Sequence, residues 1–149
     1  MINYNEYLID YYENIALPTL DEFFQDKTDI RRAKLALVTL YHVFDYLKLS
    51  KNLTYDDLKA GCEDFVILAN AANATKHGVL TRGSDLNLDN SNQIKQKSYP
   101  GLFQAPFREG TFYEASEVYL VFKDDLNLPV KRVSIILKNI KKYYDEIIY

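Results

Sequence analysis

Asn70, Asn73, Lys76 and His77 recur at helical spacing and are followed at once by Gly78. The preceding run, Phe65-Val66-Ile67-Leu68-Ala69, reads as packed core, so polar side chains resume where a bundle core should be ending. An imidazole there can take or give a proton near neutral pH, and carboxamides can orient a polar group. The set lacks only a guanidinium to grip an anion such as phosphate. A structural explanation competes. Asn and His often satisfy the carbonyls at a helix end, and Lys76 and His77 suit the negative end of the helix dipole.

The elements that must position these residues are mostly helical. Tyr4, Tyr7, Leu8, Tyr11, Tyr12 and Ile15 predict a first helix over 4–16. Leu17-Pro18-Thr19-Leu20 is expected to interrupt it, with Thr19 capping a short turn. A second long helix is expected from Thr28 or Asp29 to about Leu49, on a core stripe of Ile30, Ala33, Leu37, Tyr41, Phe44 and Leu47. Leu35, Leu40 and Val43 make it apolar nearly all round, which marks a central helix or a subunit interface. After a short connection, Thr54 should cap a third helix running through Leu58, Cys62, Phe65 and Ala69 to His77.

From Val79 to Gly110 the helical pattern fails, with extended pieces expected at Asp85 to Leu88 and Gln93 to Lys97. Phe112 to Lys123 reads as a strand and Asp124 to Asn127 as a turn. Pro129 is placed to open the last helix, to about residue 148. The expectation is a single helical domain over 1–149. It is a mainly α antiparallel bundle, with an irregular, β-containing insertion at about 79–123 before the C-terminal helix.

At about 100° per residue, Asn70, Asn73 and His77 fall on one flank of the third helix. Arg31, Lys34, Val38, His42 and Asp45 cluster likewise on the second. A hairpin closing near residue 52 sets Asn73 level with Arg31, Asn70 with Lys34, and His77 with Lys27. Arg31 or Arg32 is therefore expected beside Asn73 and His77 as a candidate catalytic set, with Asn70, Lys76 and Lys34 as candidate ligand-binding residues. His42 reads as a core histidine bonded to Asp45. Cys62 reads as a buried thiol in an apolar helix face.

A net charge of -3 leaves no global footprint for nucleic acid. Local ones remain: Lys131, Arg132, Lys138, Lys141 and Lys142 on the last helix, and Lys95, Lys97, Tyr99, Phe103, Phe107 and Arg108, which interleave bases with aromatics. Two histidines and one cysteine predict no metal site, and no glycine-rich phosphate loop or other cofactor motif is present. The lone cysteine excludes an internal disulfide and suits a reducing compartment. Without a signal-peptide pattern or an apolar run of about 20 residues, the expectation is cytoplasmic, with no membrane partner. The 13 tyrosines and 8 phenylalanines, with no tryptophan, suit a packed core or an adhesive surface.

On the central hairpin and the run Asn70 to Gly78, the chain resembles the HEPN superfamily over residues 1–80 and the closing helix. Members are compact helical bundles of bacterial defence and toxin systems, often dimeric, many of them metal-independent ribonucleases. The family's catalytic arginine stands four to six residues before a histidine. Here Asn73 stands four before His77, so that motif is not carried over, and only a split version using Arg31 or Arg32 remains. The resemblance implies a homodimeric interaction module of bacterial or phage conflict type. The alternatives are a metal-independent ribonuclease or RNA-binding protein, and a nucleotide binder. The loop over 81–110 is a candidate surface for a protein partner.

Overall fold

The computed structural model describes residues 1–81, 88–103, 114–123 and 130–149. Its first helical stretch does not break at Pro18. Helix α1 (Tyr4–Tyr11) passes through a π-helical turn (Tyr12–Ala16) directly into α2 (Leu17–Gln25). A proline inside an α-helix lacks its N–H and crowds the carbonyl four residues back. The π turn widens the ladder just ahead of Pro18, with the Leu17 N–H donating to the Tyr12 carbonyl five residues earlier. Thr19 caps nothing; its hydroxyl donates to the Ile15 carbonyl at 2.7 Å.

The Asp29 carboxylate caps α3 (Ile30–Lys51), accepting from the Arg31 and Arg32 N–H groups at 2.8 and 3.2 Å. The helix ends at Asn52, in the left-handed region at φ 56°. Thr54 caps the next helix as expected, reciprocally with Asp57. That helix is not continuous to His77. It divides into α4 (Tyr55–Gly61) and α5 (Asp64–His77), with Cys62 extended between them. A Cβ on Gly61 would lie 2.1 Å from the Tyr143 hydroxyl oxygen, so the chain gives up its side chain where the last helix crosses. Gly78, at φ 77°, stops α5, and its N–H donates to the Ala74 carbonyl at 2.7 Å.

A 3-10 turn (Ser91–Gln93) leads into β1 (Ile94–Phe103), which pairs antiparallel with β2 (Glu114–Val121). Of the expected extended piece Asp85 to Leu88, only Leu88 is described, and it is not in a strand. The expected turn at Asp124 to Asn127 and Pro129 lie outside the described residues, as do Phe107, Arg108 and Phe112. The last helix does not begin at Pro129. Val130–Arg132 form β3, which pairs antiparallel with the other edge of β2, and α6 (Val133–Ile148) starts after it. Where β3 gives way to α6, the Lys27 carbonyl accepts the Val118 N–H at 2.9 Å and extends that edge.

The protein is mainly helical with a small three-stranded antiparallel sheet. Helix α3 is central, packing against α1, α2, α5, α6 and β1. Tyr12, Phe23, Leu37, Phe65, Leu137 and Tyr144 are among the fully buried side chains around it. Asp64, fully buried at the start of α5, holds the Lys131 ammonium and the Asn139 carboxamide, tying α5 to β3 and α6. Among the described residues, no helix is long and apolar enough to cross a membrane.

Candidate functional site

Val66, Asn70, Asn73 and His77 share an arc of about 60° on α5. This face meets α3 where the Asn73 carboxamide lies beside the Tyr41 hydroxyl. Counting residues along the hairpin sets Asn73 level with Arg31, but helical side chains lean toward their own N-terminus. In an antiparallel pair Tyr41 and Asn73 therefore lean toward each other. Burial pushes the Tyr41 phenol up, and the neighbouring Asn73 carboxamide opposes the shift. Asn70, one turn earlier, is only 8% exposed, and its NH2 has no partner among the described residues.

The expected set is divided. The Arg32 guanidinium turns away to the α2 end, bonding the Glu22 carbonyl at 3.1 Å and pairing with Asp29 at 3.5 Å. It does not join Asn73 and His77. Arg31, Lys76 and His77 are exposed and have no ion-pair partner among the described residues. Lys34 reaches the Ser91 hydroxyl at 2.9 Å, and the Ser91 N–H donates to the Gly78 carbonyl at 2.8 Å. The beginning of α3 and the end of α5 are thus joined through Ser91.

Sequence reasoning missed Tyr41, Ser91 and Tyr144. Tyr41 lay within an apolar stripe, and nothing in the sequence separated its ring from its hydroxyl. Tyr144 is fully buried on α6, its phenol is pushed well up by burial, and its hydroxyl has no partner among the described residues.

His42 is not a core histidine. It is exposed on the outer side of α3, with Nδ1 at 2.6 Å from Asp45. Its ring stands edge-on to Tyr11 and Tyr46, which stack with centroids 4.7 Å apart. Cys62 lies in the break between α4 and α5 rather than on a helix face and is partly exposed. Burial pushes its thiol up, against hydrogen bonds from the Asp64 and Phe65 backbones, so it gains no thiolate character.

The basic run on the last helix is largely engaged. Lys131 pairs with Asp64 and Lys141 with Asp145, Arg132 lies 3.9 Å from Glu117, and Lys138 stands over the Phe24 ring. A polar cleft of about 400 Å³ separates the Asp26–Thr28 turn from Ser116 and Glu117. Glu117 is the nearest acceptor for Lys27, at 4.0 Å. Among the described residues, no three His, Cys, Asp or Glu side chains group as a metal ion would need.

Compared with known proteins, the chain matches no protein-family model, no curated protein and no solved structure.

Proposed function

We propose that the chain is a HEPN-like interaction module of bacterial or phage conflict type, cytoplasmic and homodimeric, which acts by association rather than by catalysis. One observation carries the reading. Helix α3, otherwise the core of the bundle, exposes Leu35 (43%) and Leu49 (58%) on its outward side. Tyr7 on the neighbouring α1 is also 58% exposed. Exposed aromatic and aliphatic side chains on neighbouring helices offer apolar area to a partner. The engagement of Arg32 by Asp29 and the Glu22 carbonyl supports association over chemistry.

The test is cleavage of labelled RNA in the presence of EDTA, wild type beside His77→Ala. No cleavage by either protein is the expected result. Metal-independent cleavage that His77→Ala abolishes overturns the reading and installs the alternative, a ribonuclease or RNA binder. That alternative draws on the exposed Arg31, Lys76 and His77, which lack a described counter-ion. A nucleotide-binding role predicts a raised melting temperature in nucleotide, because a ligand that binds only the folded state stabilises it.

A further inference from the structure

We infer that the end of the bundle where α3 begins and α5 stops docks an acidic, leucine-bearing segment of another protein. This rests on reading the chain as an interaction module, and it names the chemistry of a partner. Lys34 brings the two helix ends together. Its ammonium bonds the Ser91 hydroxyl at 2.9 Å, and the Ser91 N–H donates to the Gly78 carbonyl at 2.8 Å. At about 100° per residue, Lys34, Val38, Arg31 and Leu35 fill an arc of roughly 100° on α3. On α5, Lys76 falls in angle between Phe65 and Asn73, two residues that meet Tyr41 of α3. Arg31, Lys34 and Lys76 therefore share one surface.

The charge of this surface is unanswered within the described residues. Arg31 and Lys76 are exposed without an ion-pair partner, and Lys34 has only a hydroxyl. Carboxylates at the same end are taken, Asp29 by Arg32 at 3.5 Å and Asp89 by Lys123 at 2.7 Å. Arg31 lies in the first turn of its helix, at the positive end of the dipole, where its own helix offers a cation nothing. Apolar side chains stand among the cations. Leu35 is 43% and Val79 55% exposed, and Val38 is half-buried. A phosphate backbone needs the cations but not the leucine, and bases need open rings to stack on. The Tyr41 ring beside this surface is packed against Phe44 and Phe65. Carboxylates interspersed with aliphatic side chains fit both parts of it, charge to charge and apolar to apolar.

Fluorescence anisotropy tests the assignment with two labelled probes, a peptide of glutamates with leucines at helical spacing and a single-stranded poly-uridine RNA. The peptide is expected to bind, and added salt to weaken it. Arg31→Glu and Lys76→Glu should each lower its affinity about five- to tenfold, and Leu35→Ser should lower it too. Lys59→Glu on α4 makes the same change in net charge and should leave the affinity unchanged. Equal losses in all three reversals overturn the site, because net charge alone then explains them. RNA bound in place of the peptide overturns it as well and favours the ribonuclease or RNA-binding alternative. A peptide that does not bind overturns the assignment, and light scattering that still shows self-association leaves the module reading standing. Should a reversal not fold by circular dichroism, Arg31→Gln or Lys76→Gln replaces it, and an unchanged affinity there counts against the site.

Discussion

The Asn73 carboxamide lies beside the Tyr41 hydroxyl across the α3–α5 seam. This proximity shows that the polar flank of α5 does face α3, on the side where Arg31 and Lys34 also project. The group opposite Asn73 is a phenol from two to three turns further along α3, brought there by the lean of both side chains.

Removing that hydroxyl takes a polar neighbour from the Asn73 amide in a half-buried setting. Tyr41→Phe is expected to destabilise the protein by about 1 kcal/mol, read as a lower urea midpoint with an unchanged slope. Asn73→Ala in the Tyr41→Phe background should cost less than in the wild type, with a coupling of about 0.5–1.5 kcal/mol. Additive losses would mean that the two groups do not interact in solution.

What the sequence made legible was local. The start of α3 near Asp29, the cap at Thr54 and the stop at Gly78 follow from residues within a turn of the backbone groups they serve. What it hid depended on distant packing. The third helix read as continuous from Thr54 to His77, with nothing local to announce the passage of Tyr143 over Gly61 at the break. Pro18 looked like an interruption because nothing nearby announces the π turn that accommodates it. The candidate site was half legible for the same reason. Helical periodicity put Asn70, Asn73 and His77 on one face, but which side chains of α3 meet that face depends on length and lean. Arg32 was misplaced because a nearer pair of acceptors, Asp29 and the Glu22 carbonyl, holds it.

Two tyrosines that stand edge-on in the core should respond oppositely to loss of their hydroxyls. Tyr12 donates to Asp145 at 2.6 Å, whereas the Tyr144 hydroxyl has no partner among the described residues. Tyr12→Phe is expected to cost about 1.5–3 kcal/mol, the range for a bond to a charged group. Tyr144→Phe removes a buried polar group that no described partner satisfies, so stability should hold or rise by up to about 1 kcal/mol. Chemical denaturation of both variants decides the point. A clear loss in Tyr144→Phe would indicate an acceptor, such as a buried water, at that hydroxyl.

Alkaline pH should unfold the protein through the same groups. Burial raises the phenols of Tyr41 and Tyr144 above the ordinary value of 10.0 and that of Tyr11 to about 12, and burial with the Asp145 bond raises Tyr12 further. In the unfolded chain these phenols ionise near their ordinary value, while in the folded chain they stay neutral. Their contribution is therefore complete below about pH 10 and is lost as pH rises toward the folded values. Stability measured against pH should stay level to about pH 10 and then fall. Tyrosinate absorbance should rise together with the loss of helical circular dichroism. Independent, early ionisation of all the tyrosines in a still-folded protein would contradict this.

Gly61 offers a change of sign. Alanine there gains up to about 1 kcal/mol in helix propensity, but its Cβ would collide with the Tyr143 ring, whose hydroxyl oxygen would be 2.1 Å away. Overpacking of that kind costs about 1–3 kcal/mol unless the ring can move aside. Gly61→Ala is therefore expected to lower the melting temperature of the wild type. In a Tyr143→Ala background the obstruction is gone and only the propensity gain remains, so the same substitution should raise it. Thermal unfolding of the four proteins measures both effects. A loss of equal size in the two backgrounds would show that backbone conformation at the α4–α5 break, rather than the crossing of Tyr143, demands the glycine.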